Sequence, residues 1–229
     1  MHKKTVALLC HAALCTLLAL TTHAAHAEDR VLENGEDGST ERWRIFDSKP
    51  AGATITNVDS GGSRALVFGS AGTRNGFILG GTTRAADGLD IRGETFASFR
   101  LRAEKNFTLY FALETTEGDR YVTYRPSNRA GPFGSRRYVH FGIGTVAKNG
   151  SWRGFERDLE ADLRRAQPDN SIVAVHGMLV RGPISIDDLV LSDMALPPPP
   201  SPNLPPVADA GSVPGAVVGP GVALDGTAS

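Results

Sequence analysis

Short apolar runs recur about every ten residues, each bounded by glycine, asparagine or aspartate. They read as strands over 53–58, 64–69, 76–79, 97–103, 107–115, 120–124, 137–143, 154–159, 172–181 and 184–191. Strands at this spacing predict an all-β fold, a two-sheet sandwich or jelly roll. Alternate residues of a strand point to opposite faces, which sorts the runs internally. Phe107, Leu109, Phe111 and Leu113 share a core-facing side, leaving Thr108, Tyr110, Ala112 and Glu114 on the other. Phe99 and Leu101 likewise oppose Ser98, Arg100 and Arg102. Only 159–166 carries helical spacing, and Pro168 closes it.

The first residues read differently. Lys3 and Lys4 precede an apolar run from Val6 to Leu20, and Ala25-His26-Ala27 supplies small residues for cleavage. This is the pattern of a secretory signal peptide over residues 1–27, and it implies a secreted, bacterial-type protein. The run is shorter than the roughly 20 residues a spanning helix needs, so no membrane insertion is expected after cleavage. Cys10 and Cys15 both lie in the leader, so the mature chain is expected to hold no thiol or disulfide. Loss of the leader removes two lysines and no acid from the 24 basic and 25 acidic residues. The small negative balance that remains lacks the clustered basic charge of a nucleic-acid binder. Only His140 and His176 remain among the histidines, which argues against a multi-histidine metal site.

A proline-rich stretch, residues 196–206, breaks the chain into a domain of residues 28–195 and a tail of residues 207–229. Proline cannot donate to a sheet ladder, and such a run favours an extended spacer. The tail, with PPVADAG and then VALDGTAS, resembles the first strands of a PKD (polycystic kidney disease) domain, an immunoglobulin-like sandwich. The resemblance covers residues 204–229 and implies that this unit is incomplete in the chain.

Two segments of the main domain are motif-like. VLENGEDGSTERWRIFDS (31–48) and ISIDDLVLSD (184–193) resemble the first and last strands of jelly-roll carbohydrate-binding modules of the galactose-binding-like type. The resemblance implies that the two ends lie together and share a structural calcium ion, with Glu33, Asp37 and Asp187 as ligands and Glu36 and Asp188 behind them. Calcium takes six to eight oxygens, which carboxylates and turn carbonyls supply. Alternation would turn Asp188 to the opposite face from Asp187. The competing reading makes 33–37 a solvated turn and Asp187 an edge-strand charge.

Sugar binding needs aromatic faces and planar polar groups. Tyr110, Tyr121, Tyr124, Arg125, Tyr138 and Trp152 bring both to the middle strands, beside Arg100 and Arg102. The expected ligand-binding set is Tyr110, Tyr121, Tyr124, Arg100, Arg102 and Arg125. With Arg120, four arginines near one sheet face would suit an acidic polysaccharide. The turn-rich stretch 125–138 is either a basic rim over that face or a solvated loop.

The carboxylates Asp158, Glu160 and Asp162 lie on one local segment flanked by arginines. Catalytic acid–base pairs sit across a cleft, so local pairing such as Glu160 with Arg164 accounts for them. No GxSxG elbow, HExxH helix, phosphate loop or dinucleotide fingerprint occurs. The chain therefore reads as a secreted, non-catalytic polysaccharide-binding module, accessory to an extracellular glycan-degrading or surface protein. The alternatives are a structural or adhesive calcium-binding spacer, and a jelly-roll polysaccharide lyase using a tyrosine, arginine or lysine on the same face.

Overall fold

The computed structural model describes residues 29–82, 88–134 and 136–194. The expected signal peptide, proline-rich linker and PKD-like segment lie outside the described residues. The strands are β1 (Arg30–Glu33), β2 (Trp43–Asp47), β3 (Thr54–Asp59), β4 (Arg64–Gly69), β5 (Gly76–Gly80), β6 (Phe96–Arg102), β7 (Thr108–Thr115), β8 (Arg120–Arg125), β9 (Tyr138–Gly142), β10 (Arg153–Asp158), β11 (Ile172–Arg181) and β12 (Ile184–Ser192). One helix, α1 (Leu159–Ala166), joins β10 to β11.

The strands form two six-stranded sheets packed as a β-sandwich. The first runs β10-β6-β12-β4-β3, with β1 also paired to β12; the second runs β2-β5-β11-β7-β8-β9. Among the described residues every strand ladder is antiparallel except that between β8 and β9. A parallel pair cannot be closed by a tight hairpin, because the chain must return along the strand before entering its partner. The long stretch 126–137 makes that return. It is fastened to β9 by the reciprocal backbone bonds of Phe133 and His140, at 3.1 and 2.8 Å. Gly134, at φ 111°, sits so close that a Cβ there would lie 2.4 Å from the Tyr138 carbonyl oxygen. The segment is thus a crossover held against β9.

The core follows from the alternation. Phe107, Leu109, Phe111 and Leu113 are buried together with Phe99 and Leu101 from the facing sheet. Phe99 and Phe111 bring the two layers into contact, with ring centroids 6.3 Å apart. Trp43, Phe68 and Phe77 form a second aromatic run, with centroids 4.6 and 4.9 Å apart. Burying each such side chain is worth about 1.5–3 kcal/mol.

Helix α1 is capped by Asp158, whose carboxylate accepts from the Ala161 N–H at 2.8 Å. Glu160 pairs with Arg164 one turn on, at 2.6 Å. Asp162 faces inward, accepting from the Tyr124 hydroxyl at 2.8 Å and pairing with Arg157. The three acids of this segment are absorbed by the helix and its anchoring.

The two motif-like ends meet. β1 pairs with β12 through Arg30 with Leu191, Val31 with Val190 and Glu33 with Leu189.

Candidate functional site

The outer face of the β2–β9 sheet is built in rows that cross the strands. Ile78 on β5 lies opposite Leu179 on β11, which lies opposite Tyr110 on β7, then Thr123 on β8 and His140 on β9. The neighbouring row is Gly80, Gly177, Ala112, Tyr121 and Tyr138. Ile78, Ala112, Tyr121 and Leu179 form a small apolar cluster on this face, with Tyr110 packed against it. The glycines and the alanine leave a low strip beside the tyrosines.

A groove of about 440 Å³ opens over these rows, lined by Phe46, Tyr110, Tyr121, Arg125, Tyr138, His140, Leu179 and Arg181 among others. A second hollow of about 420 Å³ shares Tyr110, Arg125 and Arg181 with it and extends toward Asn106 and Ser127. The rings are ordered. Tyr121 and Tyr138 stack, with centroids 5.0 Å apart and planes within 8°. His140 continues the near-parallel set, 6.4 Å from Tyr138. Tyr110 meets Tyr121 edge-on at 6.3 Å. At the other side Arg181 lies over Phe46, 5.1 Å from its centroid. Phe46 reaches that position because residue 76 is glycine: a Cβ there would lie 2.6 Å from the ring.

The polar groups are held as well. The Thr123 hydroxyl is hydrogen-bonded to His140 Nδ1. Burial and the nearby Arg125 guanidinium lower the His140 pKa, favouring the neutral ring. Arg181 bonds Asp47 at 3.2 Å and the Arg74 carbonyl. His176 is used elsewhere: its Nδ1 meets the Leu89 carbonyl at 2.7 Å and its Nε2 the Glu114 carboxylate at 3.2 Å.

Of the six residues expected to bind ligand, Tyr110, Tyr121 and Arg125 line the groove. Tyr124 does not. It is fully buried in the core, packed against Phe111 and Phe141. Tyr121 and Tyr124 are three positions apart on one strand, and an odd spacing sends two side chains to opposite faces. Arg100 and Arg102 are also removed from the site, because β6 belongs to the other sheet. There both guanidiniums lie over the Trp152 ring, at 5.3 and 5.4 Å. Arg120 bonds Gln167 and Glu117 at its strand end. The expected four-arginine face is therefore split between two sheets. Tyr138, His140, Phe46 and Arg181 complete the groove in its place; Tyr138 was legible as an aromatic of a middle strand, while Phe46, His140 and Arg181 carried no local signal.

The residues expected to hold calcium lie at the β1–β12 corner. Both Glu33 oxygens are engaged, one with the Gly35 N–H at 2.8 Å and the other with Trp43 Nε1 at 3.0 Å. Asp37 accepts from the Ser39 N–H within its own turn. Asp187 is buried, accepts from Ser63 at 3.3 Å, and pairs with Arg100 at 3.4 Å. Burial and the adjacent Asp188 push its carboxyl up to about 6. The same Ser63 hydroxyl lies 2.9 Å from a Glu36 oxygen, so the two carboxylates share its one proton and Glu36 is tied to the same corner. Asp188 is not turned away as alternation would require: it adopts φ 49° at a register shift in β12, and Arg100 reaches both carboxylates. Among the described residues no group of three or more His, Cys, Asp or Glu is arranged to hold a metal ion. As they stand, Glu33, Asp37 and Asp187 do not fit a shared calcium cage.

No family model and no curated protein matches the chain. Solved structures that resemble it include a carbohydrate-binding module of family 28 specific for non-crystalline cellulose, at 13% identity and TM-score 0.40, covering 73% of this chain and 96% of that one. A family 11 carbohydrate-binding module from Clostridium thermocellum, in complex with a β-1,3-1,4-mixed-linked tetrasaccharide, aligns at 9% identity and TM-score 0.41, over 72% and 95% of the two chains. A family 30 module of a cellulosomal cellulase from the same organism aligns at 13% identity and TM-score 0.39, over 71% and 91%.

Proposed function

We propose that the chain is a non-catalytic polysaccharide-binding module whose site is the groove on the outer face of the β2–β9 sheet. The observation that carries the reading is the ordered ring set, Tyr121 stacked on Tyr138 with Tyr110 edge-on beside them. A pyranose ring has an apolar face of C–H bonds and an equator of hydroxyls. Aromatic faces recognise the first, while guanidinium, hydroxyl and imidazole groups pair with the second. The groove offers both on rigid strands, so few side-chain rotamers need ordering on binding. Secreted and joined to further extracellular domains, such a module holds its partner near a polysaccharide and raises the local concentration of chain segments.

Affinity electrophoresis of the protein in gels containing different glycans tests this reading. Retention that is lost in Tyr138→Ala supports it; migration unchanged in every glycan favours the spacer alternative.

The lyase alternative draws on the presence of His140, Tyr138 and Arg125 in one groove. Ultraviolet absorbance of unsaturated uronate products, on incubating the protein with uronate polymers, separates it from simple binding.

A further inference from the structure

The groove carries positive charge that its own walls do not neutralise. Arg125, the last residue of β8, and Arg181, the last of β11, line both hollows, and Tyr110 lies with them in each. No carboxylate lines either hollow among the described residues. Arg181 has one acidic partner, Asp47. Glu114, on the same face of β7, is turned to His176 at the far end of the strand.

Arg125 is the more informative of the two. Among the described residues its side chain makes no hydrogen bond and no ion pair, and its Nε is buried without an acceptor. Buried polar hydrogens are rarely left so, because the lost water is not replaced. That nitrogen is itself out of a ligand's reach, but the residue lines both hollows, which leaves the other N–H groups of its guanidinium for an acceptor that a ligand brings. A guanidinium donates two parallel N–H bonds to a pair of oxygens of one carboxylate or sulfate, which a single hydroxyl cannot equal.

Building on the glycan-binding reading, we infer that the groove takes an anionic polysaccharide, with an acidic substituent of one sugar held at Arg125 and Arg181 while the ring of that sugar or its neighbour lies against the tyrosines. The chemistry required is an oxyanion on a pyranose, supplied by a uronate carboxylate or a sulfate ester.

Affinity electrophoresis of the full chain on polygalacturonate, dextran sulfate and unmodified dextran distinguishes these cases. The expected result is retention at least tenfold stronger on one or both anionic polymers than on dextran. Retention on polygalacturonate alone assigns a carboxylate, and on dextran sulfate alone a sulfate. Arg125→Gln and Arg181→Gln should each weaken it about tenfold, with Arg125→Lys recovering part, and Tyr138→Ala should weaken it as well. Equal retention on dextran, or anionic retention indifferent to the arginine and Tyr138 changes, overturns the inference. Retention on neutral glycan that Tyr138→Ala abolishes leaves the glycan-binding reading standing while sinking the anionic one. No retention on any of the three polymers overturns the anionic inference and leaves the glycan-binding reading to the wider panel of glycans.

Discussion

Tyr121 and Tyr138 stand opposite each other across the parallel β8–β9 ladder, their ring centroids 5.0 Å apart and their planes nearly parallel. The crossover 126–137 creates this pair by returning the chain so that β9 enters beside β8 in the same direction. Removing either ring breaks the stack and opens the groove floor. Stacked aromatic contacts are worth about 0.5–1.5 kcal/mol beyond buried area, so Tyr138→Ala or Tyr121→Ala is expected to weaken glycan binding about tenfold. Isothermal titration with the retained glycan measures it. Because Tyr138 is 38% exposed, its replacement should cost little beyond the stack with Tyr121 and lower the melting temperature by only a few degrees.

Tyr124 should behave in the opposite way. Its side chain fills the core and its hydroxyl donates to Asp162. Tyr124→Ala is expected to lower stability by about 3–5 kcal/mol through cavity formation. Tyr124→Phe removes only the donor to a buried carboxylate, costing about 1–3 kcal/mol. Chemical denaturation reads both, and the phenylalanine variant should retain the wild-type glycan affinity.

Arg100 and Arg102 lie with Trp152 on the far sheet. The double change Arg100→Ala and Arg102→Ala is expected to leave glycan binding unaltered while loosening the Asp187–Asp188 corner. Titration against the glycan gives the first result. A lowered melting temperature gives the second, since Arg100 is the cation that both carboxylates share.

His140 gives the groove a pH signature. Its neighbours are Arg125, whose charge opposes protonation, the Thr123 hydroxyl, and the rings of Tyr138 and Phe133. With the folded pKa below the ordinary value near 6.5, the unfolded chain takes up the proton first as pH falls. His140 therefore removes no stability above about pH 6.5, and destabilises progressively as pH drops toward its folded value. His140→Gln should flatten that part of the curve of melting temperature against pH.

The Glu33, Asp37 and Asp187 carboxylates are engaged by N–H and hydroxyl donors and a guanidinium, and among the described residues no three such groups are arranged to hold a metal ion. Calcium in millimolar excess, or a chelator, is accordingly expected to leave the melting temperature unchanged within error. A rise of several degrees with calcium would show that the corner rearranges around the ion, since a ligand that binds only the folded state stabilises it.

The alternation of apolar residues made the β-sandwich legible, and even the helix from Leu159 to Ala166 stood out by its period. Facing was legible within a strand: Tyr110 opposite Phe111 could be read directly, and Tyr124 three residues from Tyr121 carried the same information. Sheet membership was not, because the pattern along β6 or β8 does not say which layer the strand joins, and only long-range pairing sends Arg100 to one layer and Arg125 to the other. His140, Phe46 and Arg181 come from three separate strands and meet only through the ladder order. Asp188 escaped alternation because a left-handed residue at a register shift leaves no mark in the apolar pattern.

The central claim is that a glycan lies on the tyrosine-bearing face of the β2–β9 sheet. Nuclear magnetic resonance titration of the isotopically labelled protein with an oligosaccharide of the retained polymer locates the contact residue by residue. Shifts concentrated at Tyr110, Tyr121, Arg125, Tyr138 and His140 are the expected result. Shifts gathered around Trp152, Arg100 and Arg102, with the tyrosine face silent, would contradict it.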